Sequence, residues 1–134
     1  MALNVTELNG VSPELADALR AAGLTNSDKL LAAVAQPKDR AELAAKLGVE
    51  ARALLELGNR ADLVRIRGIG PVYSDLLEFA GVDTVAELGT RNPENLYNKI
   101  LEAAQDHHVK RTPTQQEVND WVGQAKNLER GIYY

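Results

Sequence analysis

Residues 63–77 read Leu63-Val64-Arg65-Ile66-Arg67-Gly68-Ile69-Gly70-Pro71-Val72-Tyr73-Ser74-Asp75-Leu76-Leu77. Two glycines separated by one residue and followed by proline predict a tight turn that leads directly into a helix beginning at Pro71. A strand followed by a nucleotide-binding turn is the alternative. It is disfavoured because the third glycine of a dinucleotide fingerprint would fall at Tyr73, and because no second strand is predicted downstream.

An earlier segment repeats this one, since residues 9–13 align with residues 67–71 at an offset of 58 positions. At an offset of 64, residues 56–61 align with the closing helix at 120–125. A repeat must be interpreted as a unit. We therefore predict one domain over 1–128, with copy one at about 3–62 and copy two at about 63–128, followed by a C-terminal tail at 129–134. The aligned pairs are Leu19 with Leu77, Ala22 with Ala80, Gly23 with Gly81 and Leu30 with Leu88.

Helix start and stop signals occur throughout the chain. Ser12-Pro13 and Asn92-Pro93 are typical of an N-cap followed by the first helical residue, and Thr114 with Glu117 has the capping-box pattern. These signals predict an all-α fold, a compact bundle of eight helices that includes segments 13–22, 27–35, 39–47, 50–62 and 71–80. We expect the core to form around Leu15, Leu19, Leu30, Leu77 and Leu88.

The composition limits the class of protein. The 134 residues are 45% hydrophobic and only 4% aromatic, which suits a core of Leu, Ala and Val between packed helices. The absence of cysteine excludes a disulfide, a thiolate metal site and a cysteine nucleophile. The N-terminus lacks a basic start and an apolar run, and no segment approaches roughly 20 apolar residues, so we expect a soluble, cytoplasmic protein with no membrane partner.

The net charge of −4 argues against nucleic-acid binding by bulk charge. Residues 1–62 hold seven basic and nine acidic side chains, and residues 63–134 hold eight and ten, so neither half is basic. A local basic face can still exist on an acidic molecule. Residues 63–72 are such a place, with two arginines and no acid.

Residues that could support catalysis or metal binding are few. His107 and His108 are adjacent, but no third ligand stands at usable spacing, so no metal site is predicted. No nucleophile and base stand out in order or spacing, so we expect no catalytic residue, no cofactor and no small-molecule substrate. Trp121 falls on an apolar helix face with Val118 and Val122, which predicts core packing.

One pattern in copy two resembles the helix-hairpin-helix unit of DNA repair and replication proteins. It reads Ile66-x-Gly68-Ile69-Gly70, then Leu76-Leu77, Ala80-Gly81-Val82 and Thr84-Val85-x-x-Leu88. Residues 5–30 repeat it in copy one. The whole chain resembles an uncharacterised family of small tandem helix-hairpin-helix proteins, seen mainly in bacteria. That resemblance implies two pseudo-repeated helix-hairpin-helix units with supporting helices, and no biochemical activity.

The glycine turn suggests an anion site. At a helix N-terminus such a turn presents N–H groups at the positive end of the helix dipole, with no Cβ to block approach. In the DNA-binding hairpins that it resembles, the anion is a backbone phosphate, read without base contacts. A monovalent cation on the turn carbonyls, known in similar hairpins, stays open. Carried over by position, the candidate nucleic-acid-binding residues are Arg65, Arg67, Gly68, Ile69 and Gly70, with Lys110 and Arg111 from the other basic segment.

Copy one departs from this pattern. Ser12 replaces the second glycine, and Glu7, Glu14 and Asp17 surround the turn. In families with paired hairpins, the degenerate member packs against the active one. We therefore interpret copy one as structural and copy two as the binding copy.

Two hypotheses for function follow. The first is a non-catalytic module that binds duplex DNA weakly and without sequence preference. The second is a protein-interaction adaptor that docks through the acidic first copy or through Ile132, Tyr133 and Tyr134, whose large side chains need a surface on the chain itself or on a partner. Simple turn glycines and solvated arginines would explain the same residues without any ligand.

Overall fold

The chain forms eight α-helices and a short 3-10 helix in a computed structural model that describes residues 2–134. Across those residues there is no β-strand, and the only bridge of that type joins Asn4 and Asn26. The predicted all-α fold class is therefore confirmed. The 3-10 helix spans Val5–Glu7, and the α-helices are α1 (Pro13–Ala21), α2 (Ser27–Val34), α3 (Pro37–Leu47), α4 (Ala51–Leu63), α5 (Pro71–Phe79), α6 (Val85–Leu88), α7 (Pro93–Asp106) and α8 (Gln115–Lys126).

The predicted caps set most helix boundaries. Ser12 accepts a hydrogen bond from the Leu15 amide, and Thr114 forms the complete capping box with Glu117. Helix α3 differs from the prediction, because it begins at Pro37 and not at Asp39. Proline has a helical φ and needs no amide partner, so it fits the first helical position after α2 has ended.

Helix α4 is the centre of the bundle and packs against α2, α3 and α5, while α8 packs against α6 and α7. Four of the five predicted core leucines are fully buried, and Leu15 is partly buried against them. Each fully buried leucine contributes about 1.5–3 kcal/mol, so this core stabilises the compact bundle. The fully buried leucines are Leu19, Leu30, Leu77 and Leu88.

Helical spacing after Asn92-Pro93 predicts a buried stripe of Leu96, Ile100, Leu101 and Ala104, and the face of α7 differs from it in one position. Leu101 is exposed, and Ala103 lies in the core with Leu96, Ile100 and Ala104. Trp121 on α8 is buried, as its helix face predicted. In the described residues 2–134, every helix is too short or too polar to span a bilayer.

Candidate nucleic-acid interface

The turn between α4 and α5 is closed by its own backbone. The Ile69 amide donates to the Ile66 carbonyl at 3.2 Å, and Gly68 adopts a φ of +98°. Only glycine adopts this conformation without strain. A Cβ on Gly68 would also lie 3.0 Å from the indole nitrogen of Trp121, so the turn sits directly on α8. Gly70 is the extended N-cap residue of α5.

Two of the three predicted amide contacts are available to a ligand. Within residues 2–134, the N–H groups of Gly68 and Gly70 donate to no protein acceptor, and neither does that of Val72 in the first turn of α5. Among residues 2–134, a Cβ placed on Gly70 would meet no atom within 4 Å, so this side of Gly70 is open, whereas Trp121 covers the corresponding side of Gly68. Ile69 does not share this role, because its amide closes the turn and its side chain is buried.

Arg67 projects an exposed side chain from a fixed backbone. The Gln124 side chain on α8 accepts a hydrogen bond from the Arg67 amide and donates one to the Arg67 carbonyl, both at 3.0 Å. Gln124 also donates to Asp120 at 2.8 Å, which places one carboxylate near this backbone. The backbone of Arg67 is therefore held in place next to Gly68, and its side chain extends from this fixed point into solvent.

Arg111 reaches the same place from the segment between α7 and α8. Its guanidinium carbon lies 5.0 Å from the centre of the Tyr73 ring, and that ring lies 5.1 Å from the ring of Trp121. Tyr73 belongs to the first turn of α5, so a cation–π contact holds Arg111 near the helix start. Lys110 is exposed next to it in the chain.

Arg65, predicted as a phosphate contact, has a structural role instead. Its guanidinium donates to Asp62 at 2.9 and 2.6 Å and to the Glu129 carbonyl at 2.9 Å. Asp62 is 1% exposed and also accepts from the Val85 amide at 2.8 Å. A buried carboxylate needs such partners. Arg65 therefore ties the end of α4 to α6 and to the C-terminal segment.

The C-terminal tail predicted at 129–134, with Ile132, Tyr133 and Tyr134 as its partner-binding residues, docks on the chain itself through residues 132 and 133. Ile132 is 1% exposed, and a Cβ placed on Gly58 of α4 would lie 2.7 Å from its Cδ1 atom. The Tyr133 amide donates to the Ala35 carbonyl at 2.8 Å, and Arg40 donates to the Tyr133 carbonyl at 2.9 Å. Ile132 is therefore a core residue and is not available to a partner.

The rings of the last two residues remain on the surface. Tyr134 is 63% exposed, and Tyr133 is also exposed. The Arg130 guanidinium lies 5.1 Å from the Tyr133 ring and 5.5 Å from the Tyr134 ring. These two rings are the part of the predicted partner-binding segment that a second protein could reach.

The turn before α1 shares the unpartnered amides but has no neighbouring cation in the sequence. Within residues 2–134 the N–H groups of Gly10 and Ser12 also donate to no protein acceptor, and the nearest charged residues in the chain are Glu7, Glu14 and Asp17. The Ser12 hydroxyl accepts from the Leu15 amide at 3.1 Å, so a side chain of the protein already occupies the start of this helix. The turn also packs against α5, where Asn9 donates to the Pro71 carbonyl at 3.3 Å. Gly10 has a φ of +89°, close to that of Gly68. The two turns therefore have similar glycine geometry and different chemistry.

Within the described part of the chain, no three His, Cys, Asp or Glu side chains are grouped closely enough to hold a metal ion. The ring of His107 stacks on Phe79 with centroids 3.8 Å apart. The carbonyls of Ile66 and Arg67 in the second turn already accept hydrogen bonds, and a monovalent cation on that turn stays a prediction.

Comparison with known proteins yields a family and no characterised relative. The family described as a domain of unknown function, DUF4332, matches residues 9–128. No curated protein matches the chain. No solved structure matches it either.

Proposed function

The chain belongs to the DUF4332 family, and from its own geometry we propose that it is a non-catalytic module that binds the phosphate backbone of duplex DNA. Binding is weak, independent of base sequence, and centred on the turn at Gly68–Gly70. A cytoplasmic location is part of this proposal because the ligand is DNA.

We interpret the two halves as tandem helix-hairpin-helix units, and several paired features support this. Helices α1 and α5 each have nine residues, begin with proline and follow a glycine with positive φ. Each is also followed by a glycine with positive φ, Gly23 at +83° and Gly81 at +93°. A side-chain N-cap then starts the next helix in both halves, Asn26 for α2 and Thr84 for α6.

The single observation that carries the proposal is that, within residues 2–134, the Gly68 and Gly70 amides at the start of α5 have no protein acceptor and directly follow the exposed Arg67. Oriented amides at a helix N-terminus favour an anion, and an oxygen of a phosphate can approach glycine closely. Arg67 precedes these amides in the chain, and Arg111 lies over the Tyr73 ring in the first turn of α5, so both add positive charge near the helix start. None of these groups is placed to distinguish one base from another, so the contact is to the backbone.

The small number of cations limits the affinity. Arg67, Lys110 and Arg111 can neutralise about three phosphates, which gives a slope near −2.7 in a plot of log affinity against log salt, from 0.9 for each contact. The net charge of −4 adds a general repulsion. We therefore expect dissociation constants in the micromolar range or weaker, and a rapid loss of binding as salt rises.

The test is a titration of fluorescent duplex DNA at about 20 mM and about 150 mM salt, followed by anisotropy. Gly70→Ser is the informative variant, because it gives the second turn the serine that caps α1 and places a side chain in the open space beside Gly70, where a phosphate would approach. Serine is a better N-cap than glycine by a few tenths of a kcal/mol, so the variant should fold at least as well as the wild type.

Loss of binding in Gly70→Ser and in Arg67→Ala, with an unchanged melting temperature, supports the proposal. Gly123→Ala is the matched control, since it adds a methyl group to an exposed site on α8 where no atom lies within 4 Å. The proposal fails if the wild type does not bind at low salt, or if Gly70→Ser binds as well as Gly123→Ala.

A protein-interaction adaptor is the second candidate, favoured by the exposed rings of Tyr133 and Tyr134. Aromatic side chains are enriched in the centres of protein interfaces. A Tyr133→Ala/Tyr134→Ala variant should lose such a partner while it retains DNA binding. Truncation of residues 131–134 would not be a clean test, because it also removes Ile132 from the core.

A further inference from the structure

A second concave site lies on α4 and α5 and shares no lining residue with the turn at Gly68–Gly70. It is a cleft of about 570 Å³, bounded by Tyr134 at one side. Two rim residues from α4, Arg52 and Glu56, pair with each other at 3.5 Å. The side chains that matter for its chemistry are Asn59, Arg60, Glu78, Phe79, Asp83 and Tyr134.

Carboxylates outnumber cations in the interior of this cleft. Arg60 pairs with Asp75 at 3.1 Å and with Glu78 at 2.9 Å, so its single charge is shared between two acids. Asp83 adds a further carboxylate to the lining. Burial raises the pKa of Glu78 to about 7, a value that already includes the opposing effect of Arg60 and the smaller raising effects of Asp83, Asp75 and Glu56. The lining of the cleft therefore holds more carboxylates than cations to pair with them.

Asn59 supplies an independent sign of a missing ligand. It lines the cleft and is 7% exposed, and within residues 2–134 its buried side-chain oxygen Oδ1 has no hydrogen-bond partner. A buried acceptor that lacks a donor costs about 1–3 kcal/mol. Such groups are rare in folded proteins, and a donor brought by a ligand would remove this cost.

The aromatic residues of the cleft define the shape of that ligand. Phe79 is 44% exposed, with one face against His107, and Tyr134 stands at the other side of the opening. Burial, followed by Asp83 and Glu87, raises the pKa of the Tyr134 hydroxyl, so it stays neutral at physiological pH. Aromatic faces next to carboxylates attract organic cations and bind the aliphatic stem that carries the charge.

We propose that this cleft binds an organic cation, a primary or methylated ammonium group on an aliphatic stem. The ammonium group donates to Asp83, Glu78 and the oxygen of Asn59, and the stem packs on Phe79 and Tyr134. Two sources carry this chemistry, a free alkylamine and the lysine side chain of a peptide.

The experiment is an NMR titration of the full-length ¹⁵N-labelled protein, observed at the side-chain amide of Asn59. The probes are butylammonium, the blocked tripeptide Gly-Lys-Gly, and butanol as an uncharged control. We expect saturable shifts with butylammonium in the millimolar range and none with butanol. A tighter response to the tripeptide identifies a lysine side chain as the ligand, and a tighter response to butylammonium identifies a free amine.

Charge dependence is tested with Asp83→Asn, an isosteric change at an exposed residue that leaves the core intact. It should weaken butylammonium binding by about fivefold, the effect of one charge at roughly 4 Å in water. Asp106→Asn, which lines a different depression, is the matched control and should bind as the wild type. The inference is overturned if no probe saturates, if butanol gives the same shifts, or if the two variants respond equally.

Discussion

Replacement of Ile132 by alanine tests whether the C-terminal segment belongs to the core. The change removes three buried carbons, worth roughly 0.8 kcal/mol each, or about 2.4 kcal/mol in transfer free energy. A residual cavity against Gly58 adds to this, and the expected loss is about 3 kcal/mol. The loss has an upper limit, because the segment can detach once its docking free energy is exhausted, and that energy includes the hydrogen bonds of Tyr133 to Ala35 and Arg40.

The assay is urea denaturation of wild type and variant, combined with hydrogen exchange at the Tyr133 amide. A typical domain has only about 5–15 kcal/mol of stability, so a 3 kcal/mol loss shifts the midpoint clearly. Leu128→Ala is the control, because it removes the same number of carbons from a residue that precedes the segment and is 39% exposed, so it should cost clearly less than Ile132→Ala, about 1 kcal/mol. Equal losses in the two variants, or an unprotected Tyr133 amide in the wild type, would refute a docked segment.

Three further substitutions have defined outcomes. Folding raises the pKa of Glu78 from 4.5 to about 7, so the folded state binds this proton more tightly and wild-type stability falls as pH rises through this window. Glu78→Gln should remove that fall. Relative to wild type, the variant should gain about 1–2 kcal/mol between about pH 5 and about pH 8 in urea titrations, a value reduced to allow for water at the open cleft. Gly68→Ala should cost about 1–3 kcal/mol in thermal melts, because its φ is +98° and the new Cβ would lie 3.0 Å from Trp121; a neutral result contradicts the turn geometry. Arg65→Ala should cost about 3 kcal/mol by leaving the buried carboxylate of Asp62 without its cation, whereas a loss below about 0.5 kcal/mol would mark Arg65 as a surface residue.

Local signals in the sequence were sufficient for the helices. Ser12, Thr84 and Thr114 act on amides three residues away, so their capping roles depend on nothing distant in the chain. Helical spacing likewise identified buried positions such as Leu77 and Trp121. Leu101 was wrongly predicted to be buried. The apolar stripe of α7 is wider than the part of the helix that contacts its neighbours, and Leu101 lies outside that contact.

The site was only partly predictable, because its remaining contacts join distant parts of the chain. Gln124 holds the backbone of Arg67 across 57 positions, and no sequence pattern marks such a pair. Arg65 and Arg67 look alike in sequence, yet a partner 64 positions away, the carbonyl of Glu129, helps to fix Arg65 alone. From the sequence, Ile132 could dock on the chain or on a partner. In the structure it packs against Gly58, a contact across 74 positions that no sequence pattern marks.

The most direct test of the central claim is the response of single backbone amides to duplex DNA. In a ¹⁵N-labelled sample at low salt, the amide resonances of Gly68 and Gly70 should shift in proportion to bound DNA and return as salt is raised. Gly10, in the turn before α1, is an internal control and should not move. Shifts of equal size at Gly10, or DNA binding without any change at Gly68 and Gly70, would contradict a phosphate site at the second turn.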